Sequence, residues 1–118
     1  MPPWEPRAFQ SAHGSSGGVD FGAPIGTTVV ASDGGTVTKA SSGYNGGYGT
    51  VVEIDHHDGT SSLYAHLSTL LVPPGQSVTP GQALGYIGMT GKTTGPHLHF
   101  EIRRYNAQLD PKKLIMGL

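Results

Sequence analysis

The chain has 118 residues, 36% of them hydrophobic, with 19 Gly, 9 Pro, no Cys and a formal net charge of −1, which suits one compact domain. The near-neutral charge excludes a basic field for nucleic acid, and the lack of thiols excludes disulfides and cysteine metal sites. No apolar run reaches the ~20 residues of a membrane-spanning helix, so membrane insertion is not expected.

Residues 1–18 are Pro-rich and then Gly/Ser-rich, ending in His13-Gly14-Ser15-Ser16-Gly17-Gly18. They read as an N-terminal arm and loop, and residues 19–118 as the domain proper. The opening lacks the apolar stretch of a secretory signal, so a substrate outside the cell implies export by another route, as an excised domain or as part of a phage or delivery particle. From Val19 onward, short strands alternate with turn signals at roughly 8–12 residues, the pattern of an all-β sandwich or barrel. The expected strands are 19–21, 27–31, 35–40, 49–55, 60–67, 76–78, 83–88 and 97–103. Asp33-Gly34-Gly35 and Asp58-Gly59 read as hairpin-type turns. Pro74-Gly75-Gln76 and Pro80-Gly81-Gln82 form a small internal echo. A short helical turn is expected at 110–114, with Pro111 at its start.

Side chains two apart in a strand share a face. In His97-Leu98-His99-Phe100-Glu101-Ile102, one face holds Leu98, Phe100 and Ile102, and the other holds His97, His99 and Glu101. In Leu63-Tyr64-Ala65-His66-Leu67, the same alternation groups Tyr64 with His66 opposite an apolar face. In Val19-Asp20-Phe21, Asp20 stands opposite an apolar pair. Paired in one sheet, these segments would bring Asp20, His66, His97 and His99 together, a set suited to zinc, which takes His nitrogen and Asp oxygen. Taken singly, each has an ordinary structural reading, and His-x-His alone is weak evidence. His56 and His57 lie in the Asp58-Gly59 hairpin and are expected to be solvated.

Val19-Asp20-Phe21-Gly22-Ala23-Pro24-Ile25-Gly26-Thr27, Tyr64-Ala65-His66-Leu67 and Gly95-Pro96-His97-Leu98-His99-Phe100-Glu101 resemble the signature blocks of the lysostaphin-type (LytM-like) zinc metallopeptidases. The resemblance runs over about residues 17 to 114. It implies a small antiparallel β domain, a sandwich or half-barrel with a substrate groove, and zinc-dependent endopeptidase activity on the peptide cross-links of bacterial peptidoglycan. The place of action would be extracellular or facing the cell wall. Carried over by position, Asp20 and His99 would be zinc ligands. His66 and His97 would flank the metal as catalytic histidines, assisting proton transfer and stabilising charge on the tetrahedral intermediate.

The sequence departs from the family pattern at Ser16, where the first ligand His is expected. The only earlier histidine is His13. Either the glycine-rich loop lets His13 complete the metal site, or the domain is a metal-free relative kept as a cell-wall or protein-binding scaffold. A lipoyl-type carrier, suggested by the Gly-Gln turns, would need a modifiable lysine at a hairpin tip, and the setting of Lys92 does not match. Loops 41–48 and 89–95 are expected to decide which bond is cut, and Tyr44, Tyr48 and Tyr64 are candidate groove residues.

Overall fold

The computed structural model describes residues 18–104. The arm, with His13 and Ser16, and the expected turn at 110–114 lie outside the described residues. Eight strands follow in chain order: β1 (Val19–Gly22), β2 (Thr28–Val30), β3 (Gly35–Ser41), β4 (Thr50–Asp55), β5 (Thr60–Leu70), β6 (Ser77–Val78), β7 (Ala83–Ile87) and β8 (His97–Arg104). Each matches an expected strand to within a few residues. They form one antiparallel sheet in the order β1-β8-β5-β4-β3-β6, with β7 joining β5 to β2. The all-β antiparallel architecture expected from the sequence is therefore present, as an open sheet.

The core draws on β2, β3, β4, β5, β7 and β8. Its largest members are Tyr64, Phe100, Ile54, Leu67, Leu84, Ile87 and Leu98. β8 obeys the alternation expected of it, since Leu98 and Phe100 are fully buried and Ile102 packs on the same cluster. Phe21 of β1 does likewise, leaving Asp20 on the opposite face, directly across from His99 in the register.

β5 does not obey it. Tyr64 pairs with Phe100 and Ala65 with His99, so Tyr64 points into the core while Leu63 and Ala65 lie on the histidine face of β8. These two form a smaller cluster with Val51, against which Tyr48 packs. The cause is a β-bulge. Val52 of β4 pairs with Tyr64 and Thr50 with Leu67, so Ala65 and His66 stand opposite the single residue Val51. His66 takes a left-handed backbone, φ 65°, and the extra residue returns Leu67 to the core while turning His66 to the opposite face. Beyond the bulge, β5 leaves β8 and pairs with β7, Leu67 opposite Ile87 and Leu70 opposite Gly85. That change of partner explains why β5 runs three residues past its expected end.

The turns divide in the same way. Asp58-Gly59 closes the β4–β5 hairpin, with Gly59 at φ 87° and the Asp58 carboxylate accepting from Thr60 N–H at 3.0 Å. Asp33-Gly34-Gly35 joins β2 to β3, which do not pair with each other, so it is a corner between strands and not a hairpin. His56 is not merely solvated, because its ring bonds Gly34 O at 2.8 Å and Ser62 Oγ at 2.9 Å. The Pro-Gly-Gln echo has a structural counterpart. Gly75 donates to Val37 O and Val37 N–H donates to Gln76 O, and Gly81 and Gln82 exchange the same two bonds with Ala31.

Candidate active site

Three strands deliver the expected side chains to one face. Asp20 comes from β1, His97 and His99 from β8, and His66 from the β5 bulge. With Lys92, Thr93 and Thr94 of the β7–β8 loop they line a cleft of about 410 Å³. His99 Nδ1 lies 2.6 Å from Asp20 Oδ1, and His97 Nε2 lies 3.6 Å from the same oxygen. The His66 and His97 rings meet with centroids 4.8 Å apart and planes tilted by 59°.

Backbone fixes the tautomer of His66, whose Nδ1 lies 2.7 Å from Thr90 O. A carbonyl only accepts, so this Nδ1 carries the proton and Nε2 is left as an acceptor in the neutral ring. His97 Nδ1 lies 3.0 Å from both Gly95 O and Thr93 Oγ1, and a hydroxyl donating to Nδ1 leaves the proton on Nε2. Burial holds the His66 pKa below the ordinary histidine value, opposed by the bond to Thr90. His66 is therefore neutral near pH 7.

The loops that hold these groups are clamped together. Thr90 Oγ1 accepts from Thr50 N–H at 2.9 Å and donates to Leu67 O at 2.6 Å, tying the β7–β8 loop to the bulge. Lys92 N–H donates to Gly47 O, and His66 N–H donates to Tyr48 O, both at 2.8 Å. Gly49 and Gly91 have positive φ, and a Cβ on either would fall about 2.4 Å from backbone of the opposite loop. Loops 41–48 and 89–95 thus meet backbone to backbone beside the cleft.

The match to the family model described as Peptidase family M23 runs over residues 14–111. The chain belongs to peptidase family M23. The peptidoglycan DD-endopeptidase ShyA of Vibrio cholerae is 46% identical over 86 residues, which are 72% of this chain and 19% of that protein. Among solved structures, a zinc-containing peptidase from Vibrio cholerae is 38% identical with a TM-score of 0.72, covering 76% of this chain and 27% of that one. The catalytic domain of the antimicrobial peptidase lysostaphin from Staphylococcus simulans is 34% identical with a TM-score of 0.72, covering 87% and 80%. The chain spans between about a fifth and a third of the length of the curated relatives it matches. The lysostaphin-type resemblance read from the sequence is thus confirmed for family and fold.

An M23 member is expected to hold zinc. Asp20 Oδ1 and His99 Nδ1 converge from facing strands, and a carboxylate with an imidazole is a suitable zinc pair. Among the described residues no cluster of three or more His, Asp or Glu side chains is arranged to hold a metal. Asp20 and His99 therefore offer two of the three protein donors that a catalytic zinc takes.

Of the expected groove tyrosines, Tyr64 requires correction. It is fully buried (0% exposed), and its hydroxyl accepts from Ser32 N–H and donates to Ser32 Oγ. It is a core residue because the bulge falls after it and not before. Tyr44 is 63% exposed. Tyr48 stacks on the His99 ring, centroids 5.9 Å apart.

Sequence reasoning gave no role to Glu101, although alternation placed it beside His97 and His99. Glu101 is 2% exposed, and its Oε2 lies 2.7 Å from His99 Nε2. Burial raises its pKa, but bonds from His99, Tyr48 and Arg103 outweigh that and hold it at about 2. The Glu101 bond in turn raises the His99 pKa against the effect of burial, with Asp20 adding to the rise.

Proposed function

We propose that this domain is a zinc-dependent endopeptidase that hydrolyses peptide cross-links of peptidoglycan, acting where the cell wall lies. The observation that carries the reading is the meeting of Asp20, His66, His97 and His99, from three separate strand segments, in one cleft. The relatives named as peptidoglycan endopeptidases and the zinc-containing neighbour support the substrate class and the metal.

Asp20 and His99 would hold the zinc, with His13 as the third ligand in place of the His that Ser16 displaces. When bound, zinc acidifies a water and polarises the scissile carbonyl. His66, neutral and presenting Nε2, takes the proton from the attacking water. His97, presenting Nε2–H 3.6 Å from the Asp20 carboxylate, is placed to donate to the oxyanion of the tetrahedral intermediate. The proton taken by His66 leaves with the amine of the broken peptide bond. Lys92, Thr93 and Thr94, with exposed Tyr44 nearby, supply polar contacts for the substrate peptide.

The test is zinc content of the dialysed protein by elemental analysis, together with release of soluble fragments from purified cell walls. One zinc per chain and chelator-sensitive digestion are expected. A zinc-free protein that binds walls without cutting them would replace this reading with the scaffold one. His13→Ala with wild-type zinc content would remove His13 from the ligand set.

A further inference from the structure

Glu101 Oε2 accepts from His99 Nε2 at 2.7 Å and from the Tyr48 hydroxyl at 2.8 Å. Its Oε1 accepts from Arg103 Nε at 2.8 Å and Nη2 at 2.8 Å, and Arg103 Nη2 also reaches the Tyr48 hydroxyl at 3.0 Å. A carboxylate has about four acceptor sites and no donor, and here all four are engaged. Gln in the same place would turn its NH₂ group toward either the Arg103 donors or the His99 and Tyr48 donors. Only an ionised carboxylate satisfies the set.

Tyr48 connects this network to the other side of the cleft. Its ring lies on His99, its hydroxyl holds Glu101, and its backbone carbonyl accepts from His66 N–H in the bulge. One residue therefore touches the support of a ligand candidate and the backbone of a catalytic candidate. We propose that Tyr48 and Glu101 are a positioning unit that holds the His99 ring with Nε2–H toward the buried Glu101 carboxylate, against the competing exposed Asp20 carboxylate 2.6 Å from Nδ1, and that ties this ring to the backbone of His66. A carboxylate behind a metal-binding histidine fixes ring and tautomer in this way. The proposal rests on the zinc reading above for its effect on affinity, but not for its effect on the ring.

The test uses the full chain with Glu101→Gln and Tyr48→Phe. Zinc affinity is measured by competition with a chromophoric chelator, and the His99 tautomer by nitrogen-15 NMR of the metal-free protein at alkaline pH. Zinc affinity is expected to fall about 10–100-fold in Glu101→Gln and by a smaller factor in Tyr48→Phe. The wild type is expected to show the His99 Nε2–H tautomer, which should give way to a mixture in the variants. A purely structural role would lower the melting temperature and leave both readouts unmoved. Affinity within twofold of wild type and an unchanged tautomer in the variants would overturn the proposal. Should Glu101→Gln not fold, Tyr48→Phe, which removes one hydroxyl and keeps the ring and the carbonyl, decides by the same readouts. A wild type that holds no zinc defeats the hydrolase reading, while the tautomer still decides this one.

Discussion

The His66 and His97 rings meet at a centroid distance of 4.8 Å, tilted by 59°, and the Nδ1 of each lies against a backbone carbonyl. Neither makes the closest contact with Asp20, which belongs to His99. His66→Ala and His97→Ala are therefore expected to keep zinc and lose wall hydrolysis by about 10²–10⁴-fold. Either variant digesting purified walls at the wild-type rate would cancel that role.

Asp20 and His99 should behave in the opposite way. Asp20→Ala and His99→Ala are expected to leave the dialysed protein without stoichiometric zinc, measured by elemental analysis, with activity lost to the same degree. Retention of one zinc per chain in Asp20→Ala would place the metal elsewhere.

Tyr64→Phe separates core from groove. The change deprives Ser32 N–H of its acceptor inside the core, so a loss of about 1–3 kcal/mol is expected from denaturant midpoints. Turnover per folded molecule should stay at the wild-type value. A raised KM with unaltered stability would restore Tyr64 to the groove.

Acid should weaken the metal-free fold through Glu101. Its folded-state pKa of about 2 lies below the ordinary 4.5, so the ionised form favours folding. That contribution is complete above about pH 4.5 and is lost as pH falls toward 2. Urea midpoints of the metal-free protein from pH 6 downward should show this slope, and Glu101→Gln should flatten it.

The contact between loops predicts unequal effects of two nearby substitutions. Gly91→Ala places a methyl group 2.4 Å from Gly47 O and Gly49 N at a φ of +77°, and should destabilise by about 1–3 kcal/mol or more. Gly95→Ala has nothing within 4 Å of the added carbon and should be nearly silent. Equal melting temperatures for the two would refute the clamp.

Most of the site was legible because β1 and β8 are regular strands. Alternation alone set Asp20, His97 and His99 on one face, and the register joins Asp20 to His99. The same rule misplaced Tyr64 because Leu63-Tyr64-Ala65-His66-Leu67 reads as clean alternation, and a bulge changes the face without changing the pattern. His66 reaches the cleft through its left-handed backbone, with Ala65 beside it, and not through the parity that grouped it with Tyr64. Glu101 was on the right face from the start. Its importance lay in partners distant in sequence, Tyr48 above all, which no spacing reveals. His13 lies outside residues 18–104.

The glycine crossing at positions 49 and 91 also bears on redesign. Where two surface segments touch through glycine main chain, little side-chain bulk lies between them to absorb a change in length or course. Grafting one of them from a relative would leave its neighbour fitted to a shape that is gone. Redesign therefore calls for exchanging both segments as a matched pair.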